Sequence, residues 1–301
     1  MEIVKWINTA LGIDNTITVP ILISLIVFII GGLSKFIFEY IKILIKRKST
    51  RQRFSSLLNK VADNLKDKER NTEKFYPTIT IENTDGWKYT HKPISYLEII
   101  YLIDFNEIHN SFYSKFRWYS KNKRIKKEEA FHNIWDTLSN IKFLESQLEK
   151  NLLDLQNNYK EFHDQYRYFL QEYQNYHERL LNEINNNLPR KGEVLIEYLD
   201  YQERYWSHWT KLPLKERNYP HITYSTIINP MYKLNQKFPE LPFVEQSGPL
   251  ILQCEHNYAE MKNALKTSYK QFKGYSSQYK NSREKILSNI ENIGWINNFT
   301  N

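Results

Sequence analysis

The chain has 301 residues, 41% of them hydrophobic, a formal net charge of +8 and one cysteine, Cys254. A single cysteine excludes an internal disulfide and any multi-cysteine zinc site, and the length suffices for one sizeable domain with additions. The positive charge is local: Lys35, Lys42, Lys46, Arg47, Lys48, Arg51 and Arg53 against Glu39 give residues 35–53 a net +6, whereas residues 1–34 carry −1 and everything beyond residue 53 carries +3. A near-neutral remainder does not suit a nucleic-acid surface, so no nucleic-acid partner is expected.

Residues 1–16 are expected to form a short extracytoplasmic N-terminus, with Ile3, Ile7 and Leu11 on one helical face beside Trp6. Residues 17–38 are expected to form a transmembrane helix. Ile17 to Ser34 holds no charged side chain and Phe36, Ile37 and Phe38 extend it past Lys35, enough to cross a hydrocarbon core of roughly 30 Å once. A cleaved signal peptide would need a positive n-region and a small-residue cleavage site, and neither is evident. The seven basic side chains after the span, against Lys5 before it, put the C-terminal side in the cytoplasm by the positive-inside rule, and they are expected to meet anionic lipid. The expected location is the bacterial inner membrane with the N-terminus outside. Residues 39–75 then read as a basic juxtamembrane stalk helix whose stripe is Phe54, Leu57, Leu58, Val61 and Leu65.

Residues 76–301 are expected to form a cytoplasmic helical domain. Thr78 to Glu82 and Trp87 to Thr90 flank Asp85-Gly86, which predicts a β-hairpin over 77–91 that must lean on helices, since two strands alone are marginal. Ile94 to Tyr119 reads as one buried helix, because Asp104, Glu107 and His109 would each be costly in lipid. A long helix follows over 125–188, with no Gly or Pro from Lys127 to Leu188. Its residues Leu152, Leu155, Tyr159, Phe162, Tyr166, Phe169, Tyr173, Tyr176 and Leu180 step by threes and fours, a seam that wants a lengthwise partner.

That partner is expected to be the C-terminal helix, residues 250–293, where Ile251, Cys254, Tyr258, Met261, Leu265, Ser268, Phe272, Tyr275 and Tyr279 repeat the pattern with smaller members. The two are expected to lie antiparallel within one chain, because the positions flanking the first seam carry too little charge to specify a parallel homodimer. A homo-oligomer is therefore allowed but not indicated. Glu193 to Thr210 predicts a shorter helix with Leu195, Tyr198, Leu199, Trp206 and Trp209 on its apolar side. Residues 213–249 hold six of the ten prolines and predict an ordered, Pro-rich crossover loop, the expected surface for a protein partner.

No catalytic, cofactor-binding or metal-binding residue is assigned, and no cofactor is expected. Glu129 and His132 have the spacing of a helical metal pair, but no other histidine repeats it. His163 and His177 are fourteen residues apart, roughly 21 Å along a helix and too far for one ion. Cys254, Glu255 and His256 are adjacent and point in different directions from a helix. The expected fold is mainly α: one N-terminal transmembrane helix and an elongated cytoplasmic bundle with long antiparallel, coiled-coil-like helices and a small β-hairpin. The expected function is a single-pass membrane-anchored scaffold, adaptor or signal relay. The alternative is a membrane-associated effector of antiviral or toxin-like kind, acting by membrane disruption or an unrecognised hydrolytic site.

Overall fold

Stretches without Gly or Pro, with apolar side chains three and four apart, favour helix over strand, and helices dominate the chain. The computed structural model describes Trp6, Thr9 and residues 15–83, 86–116, 118–186 and 193–293; it is mainly helical, with no strand among these residues. The expected interfacial segment, residues 84–85 of the hairpin turn, and the helix stops at Pro189, Gly192 and Gly294 lie outside the described residues.

Helix α1, Asn15–Phe75, runs without interruption through the expected span and stalk, with Pro20 inside it. Its side chains change character along its length. From Ile21 to Ile45 the described apolar side chains are exposed all round the helix, Phe28 at 79%, and this is the one described segment long and apolar enough to cross a membrane. From Phe54 onward the expected stripe is buried: Phe54, Leu58, Val61 and Leu65 completely, Leu57 nearly so.

The residues fall into two packed units. One comprises residues 1–60, 95–133 and 288–301, the other 61–94 and 134–287. The first is built on α1, on α2 (Ser95–Tyr101), on α3 (Phe105–Phe116), and on the start of α4 (Lys121–Asn186). Its core is a cluster of phenylalanines. Phe112 and Phe131 have ring centroids 5.3 Å apart, and Phe54 lies 6.2 Å and 6.4 Å from them, distances at which edge and tilted ring contacts add to burial. The helix expected over 94–119 is divided. It breaks at Leu102–Asp104, where Leu102 is 85% exposed and Asp104 caps α3, its Oδ1 accepting the Asn106 N–H at 2.8 Å.

In the second unit α4 lies against α9 (Pro242–Ile293). The contacts run in opposite order along the two helices: Glu145 meets Tyr279, Asn151 Nδ2 donates to the Tyr275 hydroxyl at 2.6 Å, and Tyr166 faces Cys254 and Tyr258. All nine members of the α9 series are buried. Of the α4 series only Leu155, Tyr166 and Tyr173 are, while Leu152, Tyr159, Phe162, Phe169, Tyr176 and Leu180 are half-buried. Among the half-buried members Tyr176 reaches the rim and donates to the Phe243 carbonyl at 3.3 Å. Small Cys254 leaves room beside Tyr166, its Sγ 3.9 Å from the Tyr166 carbonyl.

The β-hairpin expected over 77–91 is not formed. A 3-10 turn, Tyr76–Thr78, leads into an irregular segment, although Gly86 keeps the left-handed φ of +76° that its turn signal implies. Each half binds helices instead of the other half. Ile79, Ile81 and Ile94 are buried, Trp87 meets Tyr159 edge-on at 4.6 Å, and Tyr89 packs against Phe75 at 5.0 Å.

The crossover loop expected over 213–249 is mostly helix. Helix α5 (Glu193–Thr210) is followed by α6 (Leu214–Arg217), α7 (Pro220–Thr223), a π-helical turn (Tyr224–Ile228) and α8 (Asn229–Lys237), and α9 begins at Pro242 rather than 250. The prolines mark helix starts. Pro213 is the N-cap of α6, Pro220 and Pro242 are first residues of their helices, and Pro230 is second in its own. At Pro213, Pro220 and Pro242 the missing N–H has no helical partner to lose, whereas Pro230 follows the π-helical turn in a continuous helical run and Pro249 lies inside α9. Ile227, Ile228, Met231, Leu234, Phe238 and Val244 are buried as a result.

Candidate functional site

Helix α1 carries the whole basic cluster, but its seven members have different fates. Lys35, Lys42, Lys46, Lys48 and Arg53 are exposed, and Arg47 and Arg51 are half-buried. The Arg51 guanidinium donates to the Ser111 carbonyl on α3, and burial, with Arg47 nearby, lowers its pKa. Lys46 Nζ lies 3.4 Å from Glu107, whose Oε1 also accepts the Thr50 hydroxyl at 3.0 Å. Arg51 therefore docks α3 onto α1, Lys46 pairs with Glu107, and Lys35, Lys42, Lys48 and Arg53 are the remaining exposed cations.

A polar cluster that sequence reasoning did not single out lies in the second unit. Lys68 is 4% exposed and its Nζ lies 2.7 Å from Glu145 Oε2 on α4 and 3.4 Å from His91 Nδ1. Tyr279 on α9 donates to the other carboxylate oxygen, Oε1, at 2.7 Å. Thr72, one turn beyond Lys68, sends its hydroxyl back to the Lys68 carbonyl at 2.7 Å and meets the Tyr89 hydroxyl at 3.3 Å. A second pair, Arg283 with Glu69 at 2.9 Å, stands in the same unit. The signal was present: Val61, Leu65, Lys68, Thr72 and Phe75 step by threes and fours, so Lys68 and Thr72 occupy core positions of an apolar stripe.

Burial lowers the Lys68 pKa, and the hydrogen bond and charge of Glu145 act against that shift. Burial, reinforced by the same carboxylate, pushes the Tyr279 hydroxyl far above its ordinary value. Burial first, and Glu145 second, keeps the Tyr279 hydroxyl protonated, whereas for Lys68 the two act in opposite directions. Both Glu145 oxygens are committed to protein donors, so the cluster joins α1, α4, α9 and the irregular segment and offers no free base.

The remaining candidates do not assemble into a reactive centre. Glu129 and His132 are both exposed, and among the described residues no group of three His, Cys, Asp or Glu side chains could hold a metal ion. His163 is half-buried and stacks on Tyr159 at 5.7 Å. His177 is buried because α5 covers it; it stacks on Trp206 at 4.7 Å, and burial depresses its pKa to about 4, so the ring is neutral. The Cys254 thiol is buried and pushed up to about 12, which keeps it protonated and unreactive. Glu255, next in sequence, faces elsewhere and accepts the Tyr224 hydroxyl at 2.9 Å.

Comparison with known proteins adds no family: no family model, curated protein or solved structure matches the chain. What fold and geometry together define is a mainly helical protein with one candidate membrane-spanning helix near its N-terminus.

Proposed function

We propose that the chain is a single-pass, membrane-anchored helical scaffold or signal relay, with its N-terminus outside and the rest of the protein on the cytoplasmic side of a bacterial inner membrane. One observation carries the reading: within α1 the apolar side chains pass from exposure on every side, between Ile21 and Ile45, to one-sided burial from Phe54 onward. A helix that is apolar all round needs an apolar solvent, whereas a striped helix needs only a packed neighbour. The exposed Lys42, Lys46, Lys48 and Arg53 support the orientation and meet anionic headgroups, each well-placed side chain contributing about 1 kcal/mol.

The relay element of the proposal is the antiparallel α4–α9 pair, with its clamp at Lys68 and Glu145. A protein partner docks on the 213–249 stretch, where Leu214 at 74% exposure is the most prominent apolar side chain. Two measurements test the proposal. Carbonate-washed membranes should retain the chain, and a reporter fused after residue 75 should be active only in the cytoplasm; release by carbonate, or a periplasmic signal, refutes the anchor. Photoreactive residues at Leu214 and Ser225 should capture a discrete protein in cells, and capture of nothing beyond the chain itself refutes the partner surface.

A further inference from the structure

A small cavity in the second unit lies between α4 and the short helices that follow α5. Its volume is about 190 Å³. Arg167, Gln171 and Gln174 come from α4, one turn apart or nearly so, and Trp209, Arg217 and Asn218 close it from the other side. No carboxylate is among the residues lining it, whereas the cavity between α4 and α5 includes Asp200 and Glu203 in its wall.

Arg217 is held in a set position. Its Nε–H donates to the Leu212 carbonyl at 2.8 Å and its guanidinium lies 5.4 Å over the Trp209 ring. Trp209 is fixed in turn, its Nε1–H reaching the Thr223 hydroxyl at 3.4 Å while that hydroxyl donates to the Arg217 carbonyl at 2.7 Å. The backbone bond uses one of the five guanidinium N–H groups and leaves the terminal pair unspent. No ion pair of 4 Å or less is formed by Arg167 or Arg217 among the described residues; the one carboxylate paired beside Arg167, Asp164, sits against His163 and is turned to solvent.

Two arginines from different elements, one with its guanidinium set by a stacking ring, line the cavity together with amide side chains and no acid, a donor set that suits a tetrahedral oxyanion. The volume falls below the 300–1,000 Å³ or so that houses a drug-sized ligand, so the ligand is small. We propose that this cavity binds a small soluble phosphate-bearing molecule through Arg167 and Arg217, with the Gln174 and Asn218 amides, and the Gln171 N–H not spent on Asn175 Oδ1 at 3.1 Å, completing the shell. The site does not depend on how the chain meets a membrane.

Isothermal titration of the full chain, held in nanodiscs of phosphatidylcholine, with inorganic phosphate and with pyrophosphate tests the site. Saturable binding that weakens with salt is expected for at least one of them. Arg167→Gln and Arg217→Gln should each weaken it by about tenfold or more, since each removes a charge-assisted hydrogen bond. Lys262→Gln, an exposed lysine on α9 and outside the cavity wall, should leave it unchanged. Arg167 is itself exposed, so its variant remains informative even if Arg217→Gln does not fold. Absence of saturable binding of either anion, or binding that survives Arg167→Gln undiminished, overturns the proposal.

Discussion

Replacing Lys68 by Met removes the ammonium paired with Glu145, whose side chain is only 14% exposed, and leaves the Tyr279 hydroxyl and, at 3.9 Å, His91 beside the carboxylate. Removing one partner of a buried ion pair costs about 3–5 kcal/mol, because the remaining charge loses its counter-ion without regaining water. Here the Tyr279 hydroxyl still donates to Glu145, so about 3 kcal/mol is the expected loss. For a chain of this size that lowers the unfolding midpoint by roughly 6–12 °C. The informative comparison is Lys68→Met with Glu145→Gln, in which both charges are gone and the amide oxygen still accepts the Tyr279 hydroxyl. That double variant should recover at least about 2 kcal/mol of the loss, since a buried ion pair and a neutral replacement of similar volume differ little. Glu145→Gln alone leaves Lys68 charged and buried; its pKa falls further, so stability should rise as pH climbs towards the ordinary lysine range. Tryptophan fluorescence of the full chain in detergent, followed through thermal unfolding, measures all four proteins. A Lys68→Met midpoint equal to that of the parent, or a double variant as unstable as the single one, would refute the reasoning.

Three further outcomes follow from the same geometry. His177 takes its proton near pH 6.5 when unfolded but only near about 4 when folded, so stability present above pH 6.5 is lost as pH falls through that window; His177→Phe, which keeps a ring against Trp206, should remove this part of the acid sensitivity in urea titrations. Cys254 should resist iodoacetamide in the native protein and react at least about a hundredfold faster in urea, and fast native labelling would show that the α4–α9 contact is open. Phe131→Ala should cost about 3–5 kcal/mol by emptying the ring cluster with Phe54 and Phe112, while Phe143→Ala, at an exposed position on the same helix, should stay within about 0.5 kcal/mol.

Some errors of the sequence reading have a shared cause. Gly86 has the left-handed φ that the Asp-Gly signal implies, because that φ is a local requirement, yet Trp87 and Tyr89 meet Tyr159 and Phe75 instead of a second strand. Prolines between 213 and 249 looked like loop markers because the rule that proline breaks helices depends on position, and three of the six, Pro213, Pro220 and Pro242, sit where helices begin. Lys68 and Thr72 were passed over because a polar residue in an apolar stripe is recognisable only when the stripe is followed through it. The cavity at Arg167 and Arg217 had no signature at all, since its walls are fifty residues apart and neither half is unusual alone.

Periodicity and composition were enough to determine that this protein is mainly helical, that its N-terminal helix holds an apolar stretch with a basic flank, and which faces of α4 and α9 seek cover, because these follow from properties a residue shares with neighbours three and four positions away; they did not place the short helices between 213 and 249. Tertiary structure alone decided which rings are enclosed and which reach the rim, that Lys68 pairs with Glu145, that His177 is neutral beneath α5, and that two guanidiniums share one cavity. Those features depend on distances between residues far apart in the chain, and such distances exist only once the helices have packed.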